Sequence, residues 1–127
     1  MNDSVAADIV CDCLVIGGGP AGSVSASIIA EAGYDVVLIE RAIHPRPHVG
    51  ESLMPATNEV LERLGVQSRI DQLKFIRKVG VQFVNASGKA SQPFFFRKHD
   101  DRPVSETWHV DRATLDQCLF GIASEKG

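Results

Sequence analysis

Apolar residues in this chain gather into short runs punctuated by glycine and proline. Cys11 to Ile16 is a mostly apolar run that ends in three glycines. Such a run predicts a parallel strand covered on both faces, because alternation disappears when neither face meets water. Pro20 fits the first turn of a helix, where its missing N–H costs nothing. Ala21, Val24, Ile28 and Ala32 recur at helical spacing, and Gly33 is a natural stop. Val36, Val37, Leu38 and Ile39 form a second apolar run within Tyr34 to Glu40. Strand, helix and strand within about 30 residues make a βαβ unit.

The rest of the chain is more broken. Arg41 to Gly50 holds His44, Pro45, Pro47 and His48 and predicts a loop. Ser52 is a candidate N-cap for a helix with Pro55 in its first turn, Val60, Leu61 and Leu64 as its apolar stripe and Gly65 as its end. Val66 to Leu73 predicts a further short helix. Val79 to Val84 alternates like a strand, Ala86 to Lys89 is turn-like, and Phe94 to Phe96 predicts a returning strand. Pro93 places that strand at an edge. Trp108 to Val110 is extended, Asp111 is a candidate N-cap, and Leu115, Leu119 and Ile122 pattern a last helix. Residues 1–10 read as a flexible polar tail.

Composition narrows the function classes. The chain has 127 residues, 44% apolar and 23% charged, which suits a folded domain and excludes general disorder. Sixteen acids against thirteen bases give a net charge of −3, which excludes a broad basic footprint for nucleic acid or anionic membrane. Three cysteines without a Cys-x-x-Cys pair exclude a disulfide scaffold or structural zinc site and fit a reducing cytoplasm. The four histidines lack metal-ligand spacing, so no metal site is expected. Cys11 and Cys13 read as buried small hydrophobes on one strand face. Met1 to Val10 holds Asp3 and Asp8 and no apolar core, so no secretory signal is expected. Cys13 to Ala30 carries no charge and approaches a spanning length, but Gly17, Gly18, Gly19, Pro20 and Gly22 interrupt it. It reads as strand, turn and helix, not as a membrane span.

Gly17 to Gly22 matches G-x-G-x-x-G between a strand and a helix, with Glu40 lying 23 residues after Gly17. Gly17 permits a tight turn, Gly19 lets backbone approach a pyrophosphate, and Gly22 lets helix and strand pack closely. Pro20 and Ala21 open the helix, whose N-terminus offers free N–H groups and a positive dipole end. Glu40 is placed to accept ribose hydroxyls, and its charge disfavours a 2′-phosphate. NAD and FAD both remain open on these residues.

The run CLVIGGGPAGSVSASIIAEAGYDVVLIER, with its Glu40-Arg41 pair, resembles the start of the FAD-dependent hydroxylase superfamily. HPRPHVGESLMPA, with Gly50-Glu51-Ser52, resembles flavin-dependent halogenases of the pyrrole and phenol type and their geranylgeranyl-reductase-like relatives. FIRKVGVQF resembles the halogenase segment whose active-site lysine falls on Lys78. WHVDRATLDQ resembles the His-Val-x-Arg-x-x-x-Asp segment, whose arginine falls on Arg112. The resemblance runs from about Asp12 to the end of the chain. It implies an α/β fold, a Rossmann-like FAD-binding domain with a GR2-type βαβ start, of which residues 11–127 are the N-terminal part. Such enzymes carry Trp-x-Trp-x-Ile-Pro and Gly-Asp segments that do not occur here. This chain alone is therefore expected to be inactive.

The resemblance also implies a chemistry. FADH2, supplied by a separate flavin reductase, reacts with oxygen to give a flavin hydroperoxide, and chloride or bromide attacks it to give hypohalous acid. Lys78 then relays the halogen to an aromatic or pyrrole substrate, free or tethered to a carrier protein, in secondary metabolism. A compact amine on a long stem suits that role. Arg41, Arg46 and Arg112 are candidate flavin contacts through paired N–H donors, with Gly50, Glu51 and Ser52 near the flavin. The alternatives are an aromatic hydroxylase or prenyl reductase, which would need no halide, and a non-catalytic dinucleotide-binding fragment.

Overall fold

The computed structural model describes residues 8–127, so the expected tail falls largely outside it. The chain divides into two compact units. One runs to Ile43 and takes in Cys118–Gly127; the other is His44–Gln117.

In the first unit, β1 (Cys13–Ile16) and β2 (Val36–Ile39) are parallel, with Cys13 opposite Val36 and Ile16 opposite Ile39. Helix α1 (Pro20–Glu31) joins them, with Pro20 in its first turn as expected. Its buried face is not the expected Ala21, Val24, Ile28 and Ala32 stripe. Ser23, Ala26 and Ser27 are buried instead, while Ala21 and Ala32 are exposed. The reason is the close approach of α1 to β1. A Cβ at Gly22 would overlap the Gly17 carbonyl and touch Val15. Only small side chains fit such a gap, and the serines satisfy their own hydroxyls. Ser23 Oγ donates to the Gly18 carbonyl at 3.2 Å and Ser27 Oγ to the Ser23 carbonyl at 2.8 Å.

The strands are also not covered on both faces. Cys13, Val15, Val36 and Leu38 are half-buried, but Leu14, Ile16 and Ile39 are 52%, 78% and 47% exposed. Cys11 and Cys13 are half-buried, not buried. The charge-free stretch from Cys13 to Ala30 is strand, turn and helix, and no described helix is long and apolar enough to cross a membrane.

The second unit begins with α2 (Ala56–Arg63) and α3 (Gln67–Gln72), then β3 (Ile76–Lys78), β4 (Gly80–Val81) and β5 (Phe94–Phe95). Single 3-10 turns at 96–98 and 103–105 lead to β6 (Thr107–His109) and α4 (Arg112–Lys126). The boundary between the units falls within α4. Leu61, Leu64, Val66, Ile70, Phe96, Trp108, Val110 and Leu115 form this unit's core. Buried Asn58 donates to the carbonyls of Val104 and Glu106 at 2.7 and 2.6 Å, pinning the approach to β6.

Three expectations change here. Ser52 does not cap α2, which starts at Ala56 after Pro55; Ser52 instead forms a β-bridge with His109. Of the strand expected over Val79 to Val84 only β4 forms, antiparallel to β5, while β3 lies just before it and is antiparallel to β6. Val84 adds a lone bridge to Ala90. Each piece therefore pairs with a different partner. Phe96 leaves the returning strand to enter the first 3-10 turn.

The exposed Leu14, Ile16 and Ile39 face has a solution consequence. The 127-residue polypeptide by itself is expected to bind a hydrophobic dye and melt over a broad range. A sharp calorimetric transition without dye binding contradicts this.

Candidate functional site

The residues singled out in the sequence fall into two groups, one in each unit. In the first unit, Gly17 to Gly22 turn between β1 and α1. Gly17 has φ +105° and donates its N–H to the Ile39 carbonyl at 2.8 Å. Gly19 is the helix cap, and no side chain caps α1. The first turn of α1 therefore presents backbone N–H groups and the positive end of the helix dipole. Glu40 follows β2. Its Oε2 accepts the Gly18 N–H at 2.7 Å and its Oε1 the Ala42 N–H at 2.9 Å. The carboxylate is thus oriented against the glycine turn. Arg41 beside it is exposed. Gly18, which the motif leaves free, is constrained here. A Cβ on it would lie 2.6 Å from the Phe120 ring and 3.0 Å from Glu40 Cβ.

In the second unit, the site is organised by Asp116, whose side chain has no exposed surface. Arg112 Nε donates to Oδ1 at 2.7 Å and Nη2 to Oδ2 at 3.0 Å, a bidentate pair. Arg46 Nη1 lies 3.6 Å from Oδ2. Arg112 Nη1 also donates to the Val49 carbonyl at 2.8 Å. The bonds to Asp116 hold the Arg112 guanidinium more firmly protonated than usual. Gly50 has φ +112°, and a Cβ there would sit 2.8 Å from Arg112 Nη1. The left-handed turn favours glycine here. The Glu51 carboxylate is held below its ordinary pKa by backbone N–H donors, its own and that of Gly50, with His109 and Arg112 adding charge.

From Gly50 the chain runs along β6. Val110 N–H donates to the Glu51 carbonyl at 2.7 Å and Leu53 N–H to the Trp108 carbonyl at 3.1 Å. Strand β3 pairs with β6 through residues 76–78. Lys78 is half-buried on β3. Its Nζ donates to the Leu53 carbonyl at 3.1 Å and lies 5.7 Å from the Phe96 ring centroid. A groove of about 370 Å³ lies beside it, walled by Lys78, Gly80, Gln82, Pro93, Phe94 and Phe95. Trp108 is buried, with the Arg77 guanidinium 6.0 Å from its ring. Among the described residues no cluster of three or more His, Cys, Asp or Glu could hold a metal.

Two residues of this unit lie in the quoted His-Val-x-Arg-x-x-x-Asp segment but receive no role from it. Asp116 closes the WHVDRATLDQ segment four residues after Arg112, a helical spacing that could have exposed the pair. His109 meets Ser52 only through strand pairing, 57 residues apart, and that pairing carries no local signal.

A profile of the tryptophan halogenase family matches residues 12–124. The chain belongs to the tryptophan halogenase family. It is 40% identical over 114 residues to the flavin-dependent halogenase armH5 of Armillaria mellea, covering 90% of this chain and 21% of that protein. It is 36% identical over 132 residues to the 1H-pyrrole-2-carbonyl-(peptidyl-carrier protein) chlorinase of Pseudomonas fluorescens, covering 91% of this chain and 29% of that one. The solved structure of the myxobacterial chondrochloren halogenase CndH, described as a variant of FAD-dependent halogenases, superposes with a TM-score of 0.85 at 37% identity. That superposition covers 94% of this chain and 28% of CndH. The fold is therefore Rossmann-like α/β. This member of the family spans a fifth to under a third of these relatives' lengths.

Two outcomes follow from this geometry. Asp116→Asn leaves two arginines without their buried counter-charge and is expected to destabilise the protein by about 3 kcal/mol. Urea unfolding measures this, and an unchanged midpoint contradicts it. Asp111 caps α4 by accepting the Thr114 N–H at 2.9 Å, with the Thr114 hydroxyl as a second donor. Its carboxyl lies below its ordinary 3.8, chiefly through that hydroxyl. A depressed folded pKa contributes stability above the unfolded value and loses it as pH falls through the folded one. Wild type should thus lose more stability than Asp111→Asn as pH drops below 3.8. Parallel melting curves across that window contradict this.

Proposed function

We propose that the protein carrying this chain is an FAD-dependent halogenase of an aromatic or pyrrole substrate, and that residues 11–127 are the front of its FAD-binding domain. The observation that carries this reading is the match of nearly the whole chain to flavin-dependent halogenases. The structure fits the cofactor on independent grounds. The glycine turn leaves a close-packed backbone cradle at the N-terminus of α1, and no side chain caps it. That donor set suits a pyrophosphate.

In this reading Gly17, Gly19, Pro20, Ala21 and Gly22 form the pyrophosphate cradle. Glu40 accepts ribose hydroxyls. Arg41, Arg46 and Arg112 offer N–H donors to phosphate or ribityl oxygens, and Gly50, Glu51 and Ser52 lie near the flavin. Three of Arg112's five N–H donors are engaged by Asp116 and Val49, so two remain for a ligand. Reduced FAD, supplied by a flavin reductase, would provide the oxidation of chloride or bromide by oxygen to hypohalous acid.

Lys78 receives the hypohalous acid. It either donates a hydrogen bond to it or, as the neutral amine, exchanges an N–H for an N–halogen bond with loss of water. The Leu53 carbonyl and the Phe96 ring hold its amine in place. The substrate is a free arene or, as for the Pseudomonas fluorescens relative, a pyrrole on a carrier protein.

The test is product formation by the full gene product with FAD, a flavin reductase and halide, across phenol and pyrrole substrates. Halogenated product is expected. Halide-independent hydroxylation overturns the reading. Lys78→Met is expected to bind FAD normally while halogenation falls by about a hundredfold. Retained halogenation overturns the assignment of Lys78.

A further inference from the structure

The pairing of β6 with its two neighbours sorts the side chains of this ribbon onto two faces. His109 stands opposite Ile76 on β3 and opposite Ser52 on the other edge, and Lys78 stands opposite Thr107. Residues opposite one another or two apart along a strand share a face. Ser52, Met54, Ile76, Lys78, Thr107 and His109 therefore project from one side. Trp108 and Val110 project from the other and are buried. On the first side Ser52 and His109 are exposed, and Ser52 Oγ lies 3.0 Å from His109 Nδ1. Met54 and Ile76 leave 60% and 71% of their surface exposed around them.

We propose that Ser52 and His109 act together as the base that ionises a ring hydroxyl of a phenolic substrate on the face that carries Lys78. This deepens the halogenase reading and rests on it. Either tautomer of His109 works. With Nδ1 bare, Ser52 Oγ–H donates to it; the substrate proton passes to Ser52 Oγ as the serine proton passes to Nδ1. With Nδ1 protonated, it donates to Ser52 and Nε2 takes the substrate proton directly. In both cases a neutral phenol and a neutral imidazole become a phenolate and an imidazolium, and nothing else is consumed.

The step has a chemical use. Hypohalous acid is an electrophile, and a phenolate ring is far more electron-rich than a phenol. The substrate class is therefore an arene with an ionisable hydroxyl, flanked by the apolar Met54 and Ile76 side chains. The charged groups about His109 are Glu51 from the paired segment, Lys78 from β3, and Asp111 and Arg112 just beyond β6. Glu51 lies close enough to His109 for the two to attract one another.

The test uses the FAD-loaded full gene product with wild type, Ser52→Ala and His109→Asn. Asparagine keeps a polar atom near the Nδ1 position but cannot take the proton. Two substrates are compared at pH 7: a phenol ionising at about 10 and a fluorinated phenol already ionised. His109→Asn is expected to lower kcat about a hundredfold on the first and to leave the second unchanged, with FAD binding intact. The acidic limb of the wild-type pH profile, where His109 becomes protonated, is expected to vanish in the variant. Equal loss on both phenols, or loss on neither, overturns the proposal. A second readout separates it from the halogenase reading. 4-Nitrophenol changes absorbance when it ionises, and it should ionise on binding below its solution pKa to wild type but not to His109→Asn. If no substrate is halogenated yet this shift occurs, the pair stands and the halogenase reading falls. Failure of 4-nitrophenol to bind or to shift overturns the pair.

Discussion

A carboxylate with no exposed surface must be answered by cations, and at Asp116 two arginines answer it. Much of the second unit follows from that requirement. Asp116 sits one turn into α4 and holds Arg112 at the start of the helix, while Arg46 reaches it from the loop. The third bond of Arg112 fixes the Val49 carbonyl and brings its guanidinium close to Gly50. With Val49 and Gly50 placed, Glu51 and Leu53 fall into register with Val110 and Trp108. That register sets Ser52 opposite His109 and brings the Leu53 carbonyl within reach of Lys78. One buried charge thus specifies the backbone on which Ser52, His109 and Lys78 stand.

The first unit is governed by a different constraint, the distance between α1 and β1. Gly22 allows the approach, and small residues at Ser23, Ala26 and Ser27 preserve it along the helix. The turn is fixed as well, because the Gly17 N–H donates to the Ile39 carbonyl and the Gly18 N–H to the Glu40 carboxylate. A cradle for phosphate has to be rigid before the ligand arrives, since ordering it later would subtract from binding.

Legibility in the sequence followed the range of the forces. The βαβ order, Pro20 at the start of α1 and the Asp111 cap were readable because each depends on residues within a few positions. The buried face of α1 was not. Apolar spacing names the stripe that a roomy interface would bury, and here the interface admits only small residues. Ser52 misled for a related reason. A serine ahead of a proline and a helix reads as a cap, but strand pairing with His109 claims it first. The glycine turn was legible as a pattern. Asp116 and His109 act through partners that no short window contains, apart from the four-residue step from Arg112 to Asp116.

The partner chosen for Lys78 bears on the proposed relay. A carboxylate would favour the ammonium and hold its proton through a charge-assisted bond. A backbone carbonyl accepts a hydrogen bond from an amine or from an ammonium and orients both. The Leu53 carbonyl therefore positions the Lys78 nitrogen. The nearby carboxylates are engaged elsewhere. Asp116 binds arginines, Glu106 takes Arg77 and Arg97, and Glu51 is held by backbone N–H groups. A lysine fixed by a neutral partner, on the same strand face as a serine–histidine pair, is the arrangement on which the proposed relay and the proposed base both rest.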